Sequence, residues 1–194
     1  MSSCLHTIFP KTLVIIDDLL VDNLNEFETR AKEIITQQSH RNGVLSVDST
    51  HTTNQNLLKD LLFATLVDAI YHHAKEYLSA LGYFQVLDVI KIDAMWTNLS
   101  VKGDFLYPHV HGNSLISGAY YIKANNDSKL KFFNELHDMM PQPICPNDLS
   151  ATQYDYDCIP GRMILFKSNL MHGTPKQTGG EKLVISFNLG ISLV

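Results

Sequence analysis

Three histidines of this chain have the spacing of a metal-binding site. His109 and His111 are separated by one residue in a segment predicted to be extended, and side chains at i and i+2 of a strand point to the same face. His172 follows a second apolar run, residues 163–166. Together they could bind a metal from one side and leave positions open, as a non-haem iron oxygenase requires for oxygen and a co-substrate. Such sites usually contain two histidines and one carboxylate, and here His111 stands in the place of the carboxylate.

A lysine further along the chain could bind the carboxylate of a co-substrate. Lys182 begins an apolar run in which alternation puts Val184, Ser186 and Asn188 on the same face as Lys182. A cation with a hydroxyl four residues further along an inward face could hold a carboxylate at the floor of a barrel. The spacing alone favours the simpler interpretation, in which Lys182 is a solvated strand end.

Two further predicted strands offer polar side chains to the same interior. Ser117 and Tyr121 share one strand face, where the Tyr121 hydroxyl could donate a hydrogen bond to a co-substrate. Trp96 and Asn98 share a face of the strand that leads into the site. Tyrosine and tryptophan are common packing residues in strands, so the spacing alone gives these residues little weight.

The elements that must position these residues are two helices followed by a series of strands. Apolar residues recur at helical spacing over residues 23–38 and 56–80, and Gly82 ends the second predicted helix. A short strand, residues 12–16, precedes the helices. After Gly82, apolar segments separated by polar turns predict antiparallel strands. These comprise residues 84–99, 105–111, 115–122, 129–133, 163–166 and 183–193.

This order favours one domain of the α+β class, mainly β: a double-stranded β-helix (jelly roll) backed by two N-terminal helices. We expect the helical support at about residues 23–82 and the barrel at about residues 84–194. Residues 136–160 contain four prolines and form a connection that is too long and irregular to be an ordinary turn. That segment is therefore predicted to be an active-site loop.

The composition excludes several classes of partner. The chain has 15 Lys and Arg against 20 Asp and Glu, a net charge of −5, which argues against nucleic acid as a bulk electrostatic partner. Three cysteines without a C-x-x-C pair indicate neither a disulfide framework nor a zinc ribbon, and they favour a reducing compartment. No apolar stretch has the length of a membrane span or a secretory signal. We therefore expect a cytoplasmic protein with no membrane partner, whose oligomeric state the sequence does not indicate.

Several segments, taken in order, resemble a known family. They are Trp96-Thr97-Asn98-Leu99, His109-Val110-His111, Ser117-Gly118-Ala119-Tyr120-Tyr121-Ile122, residues 161–172, and the run from Lys182 to Asn188. Over about residues 95–190 the chain resembles a family of small bacterial and phage proteins classed as 2-oxoglutarate/Fe(II)-dependent oxygenases. More distantly, it resembles the prolyl-hydroxylase-like branch of that superfamily.

The resemblance implies a role for each candidate residue and a cofactor set of Fe(II) with 2-oxoglutarate as co-substrate. His109 would be the first iron ligand and His172 the distal one, while His111 stands where the wider superfamily has Asp or Glu. Lys182 stands where most members have an Arg that pairs with the C5 carboxylate of 2-oxoglutarate. The candidate hydrogen-bonding residues for the co-substrate are Tyr121, Ser117, Ser186 and Asn98.

The expected function is a dioxygenase that hydroxylates an unidentified small-molecule or peptide substrate while 2-oxoglutarate is decarboxylated to succinate. Two alternatives remain open at the level of the sequence. One is a cupin-like dioxygenase that uses three histidines and needs no 2-oxoglutarate. The other is a jelly-roll binding protein without catalysis, in which a metal is absent or structural.

Overall fold

The computed structural model describes residues 2–7, 10–41, 46–134 and 143–191. Its first helix, α1, spans Leu24–Gln38, as predicted. The second predicted helix is divided, because Asp60 has an extended backbone and its side chain accepts a hydrogen bond from the Leu62 amide at 3.1 Å. Two short 3-10 turns therefore precede helix α2, which spans Ala64–Ala80.

The described residues also form ten strands and, besides those two, two further 3-10 turns, at residues 21–23 and 84–86. The strands are β1 (Leu13–Ile16), β2 (Asp48–Ser49), β3 (Ile90–Ser100), β4 (Leu106–His109), β5 (Ile116–Lys123), β6 (Lys129–Phe133), β7 (Gln153–Asp157), β8 (Met163–Lys167), β9 (His172–Thr174) and β10 (Lys182–Ile191). Residues 84–86, predicted to begin a strand, form a 3-10 turn instead, so β3 starts later than expected.

The strands form two antiparallel sheets, in the order β1-β8-β5-β10-β3-β2 and β4-β9-β6-β7. This is the predicted double-stranded β-helix with two helices beside it. The single-domain organisation over residues 1–194 remains a prediction. No helix in the described ranges is long and apolar enough to cross a membrane.

Alternation along the strands gives the larger sheet two different faces. On β10, Leu183, Ile185 and Phe187 belong to the apolar core that also contains residues of α1 and α2. Val184, between them, belongs to a second apolar cluster with Phe132 of the smaller sheet. Because the side-chain period of a strand is two, the residues at 182, 184, 186 and 188 must face the space between the two sheets.

The segment predicted as an active-site loop, residues 136–160, is partly a strand. Its C-terminal portion forms β7, an outer strand of the smaller sheet that pairs with β6 in register from Lys129↔Asp157 to Phe133↔Gln153. Lys131 forms an ion pair with Asp155, and charged residues of this kind are typical of strands at a sheet edge. Residues 136–142 of the predicted loop lie outside the described residues.

Candidate metal and co-substrate site

The three predicted metal ligands lie together at the mouth of the smaller sheet. His109 of β4 is the direct cross-strand partner of His172 of β9, and their ring centroids are 4.4 Å apart. His111 lies two residues beyond the end of β4, where its backbone N–H donates to the Ser168 carbonyl at 2.9 Å. One ring nitrogen from each histidine lies within 4.8 Å of the others.

Two of these imidazoles are held in the tautomer that binds a metal. His109 Nδ1 lies 2.7 Å from the Tyr107 carbonyl, and His172 Nδ1 lies 2.8 Å from the Leu170 carbonyl. A carbonyl can only accept, so Nδ1 carries the proton in both rings and Nε2 keeps a free lone pair. Metal-ligating histidines are usually oriented by such a hydrogen bond from the other nitrogen.

Burial keeps two of the rings in the neutral, ligating form. It lowers the pKa of His172 to about 3 and that of His111 to about 4, and repulsion from His109 adds to both shifts. Only the neutral ring binds a metal, so neither of these two rings has to lose a proton before it binds a metal near neutral pH. The donor set therefore fits a divalent transition metal such as iron.

His111 is oriented by an amide rather than by a carbonyl. Its Nδ1 lies 3.4 Å from Asn188 Nδ2, while Asn188 Oδ1 accepts from the Ser117 hydroxyl at 2.8 Å. Ser117 Oγ in turn lies 2.8 Å from Ser168 Oγ. If His111 binds metal through Nε2, its Nδ1 must carry a proton and needs an acceptor. Turning the Asn188 amide by 180° supplies Oδ1 as that acceptor and gives Nδ2 to Ser117 Oγ.

Replacing Asn188 should therefore weaken metal binding without removing a ligand. We expect Asn188→Ala to lower the affinity for Co(II) by about 10- to 100-fold, the range for partners that orient a metal ligand. Asn188→Asp should retain the affinity, because a carboxylate also accepts from Nδ1. The measurement is a titration followed by Co(II) absorption. Equal affinity in the alanine and asparagine proteins would show that Asn188 does not position His111.

Gly173 allows the two ligand-bearing strands to approach each other. A Cβ at this position would lie 2.7 Å from the Leu106 carbonyl oxygen and 3.1 Å from the Pro108 nitrogen. Both atoms belong to the backbone of the β4 region, so they cannot move aside as the end of a side chain could. A side chain at residue 173 would therefore push β4 away from β9 and so separate His109 from His172.

We expect Gly173→Ala to lower the free energy of unfolding by about 1–3 kcal/mol, as overpacking does, and to reduce metal affinity. The matched control is Gly179→Ala, where a Cβ would meet no atom within 4 Å. The control should change the free energy of unfolding by no more than about 0.5 kcal/mol. Urea unfolding and a Co(II) titration measure both effects. A Gly173→Ala protein as stable as the control would contradict this assignment.

Lys182 is a buried lysine that has no anionic partner among the described residues. Its side chain lines the cavity between the sheets, and only 3% of the residue is exposed. Within the described ranges, Nζ forms neither an ion pair nor a hydrogen bond. Burial lowers the pKa of Lys182, and Cys158 and Asp104 partly oppose that shift. An unpaired buried charge is unfavourable, so this lysine points to a bound anion.

Polar groups near Lys182 could complete a carboxylate site. Tyr121 pairs with Val184 across β5 and β10, and burial raises its pKa well above 10, which keeps the hydroxyl protonated as a donor. Asn98 Nδ2 donates to Ser186 Oγ at 3.1 Å, and Asn98 Oδ1 accepts from the Ser49 hydroxyl at 2.5 Å. Both the oxygen and the nitrogen of the Asn98 amide are therefore engaged in linking β3 to its neighbours.

Ser117 is placed differently from its predicted role. It pairs with Asn188, six residues along β10 from Lys182, which corresponds to about 20 Å of strand. Its hydroxyl is engaged with Ser168 and Asn188, as described above. Ser117 therefore lies at the metal end of the cavity and not beside the carboxylate that Lys182 would bind.

All the predicted ligands and co-substrate residues line a single cavity of about 330 Å³. They are His109, His111, His172, Lys182, Tyr121, Ser117, Ser186 and Asn98. The sequence interpretation missed His51, which lines this cavity beside Trp96. No spacing rule connects His51 to the strands, so its position depends on the folded chain alone.

Comparisons with known proteins agree with this geometry. Residues 94–188 match the model of a family described as "Putative 2OG-Fe(II) oxygenase", where 2OG is 2-oxoglutarate. A search of curated proteins found no match. Among solved structures, the chain is similar to a viral collagen prolyl hydroxylase from Paramecium Bursaria Chlorella virus-1, with 15% identity, coverage of 91% of this chain and 94% of that one, and a TM-score of 0.60.

Two further structures show the same fold. A Pseudomonas putida prolyl-4-hydroxylase has 12% identity, coverage of 92% of both chains and a TM-score of 0.65. HygX from Streptomyces hygroscopicus, solved with nickel and 2-oxoglutarate, has 14% identity, coverage of 94% of this chain and 84% of its own, and a TM-score of 0.64. The matched segment contains every predicted ligand and co-substrate residue. Residues 94–188 of this chain therefore match the family of 2OG-Fe(II) oxygenases, and the chain is an enzyme of that class.

Proposed function

We propose that the protein binds Fe(II) through His109, His111 and His172 and binds 2-oxoglutarate with its C5 carboxylate against Lys182. In the proposed reaction, O2 and 2-oxoglutarate are consumed, one oxygen atom enters a substrate C–H bond as a hydroxyl, and the other enters succinate as CO2 is released. The observation that carries this proposal is that one cavity contains three imidazoles close enough to share a metal and a buried lysine that has no anionic partner among the described residues.

Iron and 2-oxoglutarate would supply the oxidising chemistry, while the protein's own residues position and enclose them. The carbonyls of Tyr107 and Leu170 fix two ligand rings. Lys182 neutralises one end of the co-substrate, and the Tyr121 hydroxyl donates a hydrogen bond near it. Apolar neighbours such as Phe166, which is 2% exposed, exclude water from the cavity. The iron-bound and 2-oxoglutarate-bound structures of HygX support the proposed cofactor set.

Three neutral ligands change the charge of the site. With Asp or Glu in place of His111, the ligand set would carry one negative charge, and here it carries none. Because Lys182 would pair with the C5 carboxylate, only the other negative charge of 2-oxoglutarate would offset the charge of Fe(II). Co-substrate binding would still reduce the positive charge at the metal, so metal and 2-oxoglutarate should bind with mutual reinforcement.

We also propose a substrate class and a cellular compartment for the enzyme. The family implies a small-molecule or peptide substrate. A cytoplasmic location is consistent with three cysteines that form no disulfide, Cys4, Cys145 and Cys158.

The test is the conversion of 2-oxoglutarate to succinate by the purified protein with Fe(II) and O2. We expect succinate to form with iron and to be lost in a Lys182→Ala protein. Iron-dependent turnover of another compound that is indifferent to 2-oxoglutarate would instead favour the three-histidine dioxygenase. If the His109→Ala and His172→Ala proteins bind metal and ligand unchanged, the protein would instead be a binding protein without catalysis.

A further inference from the structure

His51 lies in the wall of the active cavity although it comes from outside the strands of the barrel core. Its ring meets the Trp96 ring edge-to-face with centroids 4.7 Å apart, and the Trp96 ring is 6.0 Å from that of His111. His51 and His109 also interact electrostatically. His51 is therefore one aromatic ring removed from the metal ligands, and it lies before the segment, residues 94–188, that matches the family.

Hydrogen bonds hold the backbone of His51 in this position. Its N–H donates to Ser49 Oγ at 3.1 Å, and its carbonyl accepts from Gln55 Nε2 at 2.5 Å. The preceding residue, Thr50, exchanges hydrogen bonds with Thr97 of β3, at 3.0 Å through its N–H and at 3.2 Å through its hydroxyl. A turn fixed at so many points is a preorganised part of the cavity.

The imidazole of His51, in contrast, has no hydrogen-bond partner among the described residues. Neither ring nitrogen makes a hydrogen bond with any residue in the described part of the chain, although the side chain is half-buried. His51 also does not belong to the group of His109, His111 and His172 that could bind a metal. A rigidly held polar side chain with free donor and acceptor atoms facing a cavity is suited to bind a ligand.

The charges of the cavity restrict what that ligand can be. Apart from histidines, Lys182 is the one charged residue among the described residues that line it, and the co-substrate would neutralise Lys182. A charged group beside His51 would therefore lose its hydration without gaining a counter-ion. Trp96 lies against His51, and the lining of the same cavity also includes the apolar residues Leu106 and Val110.

We propose that His51 and Trp96 form the substrate subsite, and that it accepts a neutral, mainly apolar group carrying one hydroxyl or amide that hydrogen-bonds to the His51 imidazole. This assignment rests on the proposed function, because it takes the Lys182 end of the cavity as the place of 2-oxoglutarate. A cavity of about 330 Å³ is at the small end for ligand pockets, so it admits the reacting group of a substrate beside the co-substrate. The matched family segment would thus provide the oxidising centre, and the turn at His51 would select the substrate.

Trp96 provides the readout, since it is the only tryptophan of the chain. The experiment uses protein loaded with redox-inactive Zn(II) and 2-oxoglutarate, and follows Trp96 emission. The probes are cyclohexylmethanol and cyclohexylmethylammonium, which share a skeleton and differ in charge. We expect a saturable response to the alcohol, and binding of the ammonium that is at least about tenfold weaker.

Substitution at His51 separates its hydrogen bond from its packing. His51→Phe keeps an aromatic ring against Trp96 but removes the polar nitrogens, and it should weaken binding of the alcohol by about 2- to 12-fold. His72→Phe, on the exposed face of α2, is the control and should leave that binding unchanged. The affinity for 2-oxoglutarate, measured by calorimetry on the same samples, should stay within about twofold in both variants.

The subsite assignment is overturned if the alcohol gives no saturable response, if both probes bind equally, or if His51→Phe binds the alcohol as the unsubstituted protein does. These outcomes are distinct from a failure of the proposed function. That failure would show as the absence of 2-oxoglutarate binding to the unsubstituted protein. The probe titration can then be read with Zn(II) alone.

Discussion

Lys182→Ala is expected to weaken 2-oxoglutarate binding by about 2–5 kcal/mol, or about 30-fold to several thousandfold, because it leaves a buried carboxylate without its cation. Lys182 has no competing anion within the described residues, so its full charge is available to the co-substrate. Lys182→Arg should retain much of the affinity, since a guanidinium also pairs with a carboxylate. Lys129→Ala, which removes an exposed lysine paired with Asp157, should have no effect. Calorimetry with Zn(II)-loaded protein measures all three.

The same lysine should make the free protein less stable than it could be. An apolar side chain of similar length, in Lys182→Met, removes an unpaired buried charge and should leave the free energy of unfolding equal or higher. The protein would then be more stable and unable to bind its co-substrate. Undiminished 2-oxoglutarate binding by Lys182→Met would show that the anchor lies elsewhere.

The lowered pKa of Lys182 determines how 2-oxoglutarate affinity and protein stability should change with pH. Burial lowers the pKa of Lys182 in the folded protein below its ordinary value of 10.5, and only the charged form pairs with a carboxylate. As pH rises through that lowered pKa, 2-oxoglutarate affinity should fall, by up to about tenfold per pH unit. In the free protein, stability due to this group should rise over the same interval up to 10.5, because the unfolded chain binds more protons there. Lys182→Met should abolish both trends.

The second large effect is expected from the metal ligands. His109→Ala or His172→Ala should lower the affinity for Co(II) by more than about 100-fold, beyond the upper range for residues that only orient a ligand. Both variants should also lose iron-dependent turnover. The expectation is strong because the two rings are cross-strand partners, and each is fixed by a backbone carbonyl.

A second histidine pair gives the matched control for these variants. His72, His73 and Glu76 on α2 could also hold a metal ion, and the two histidine rings are 4.8 Å apart. The two histidines are adjacent in the helix, and both rings lie beside the Glu76 carboxylate. Replacing His72 and His73 by alanine should leave turnover unchanged. Loss of turnover there, with retention in His172→Ala, would contradict the proposed centre.

Periodicity predicted the inward-facing residues well, for a physical reason. The side-chain period of two fixes which residues of β10 share a face, and the apolar alternation shows which face is buried. Lys182, Ser186 and Asn188 therefore share the face that lines the cavity, although the spacing alone favoured a solvated Lys182, which is in fact buried. The spacing of the histidines suggested a shared metal site, but only the resemblance to a family supported the proximity of His109 and His172, since spacing along the chain does not specify which strands pair.

Features that depend on long-range contacts could not be predicted. The position of His51 is set by contacts between Thr50 and Thr97 and between Ser49 and Asn98, which join residues far apart in sequence. The role of Ser117 depended on its register opposite Asn188, which a single strand does not reveal. The division of the second helix, in contrast, had a local cause in the side chain of Asp60, and helical periodicity concealed it.

The most direct measurement of the central claim is the anaerobic absorption spectrum of the Fe(II)-loaded protein, recorded with and without 2-oxoglutarate. A keto acid that chelates iron held by His109, His111 and His172 should produce a visible metal-to-ligand charge-transfer band, absent with iron alone. The band should require far higher 2-oxoglutarate in Lys182→Met and should not form in His172→Ala at the same iron concentration. A spectrum that 2-oxoglutarate does not change, in protein shown to contain one bound Fe(II), would contradict the account.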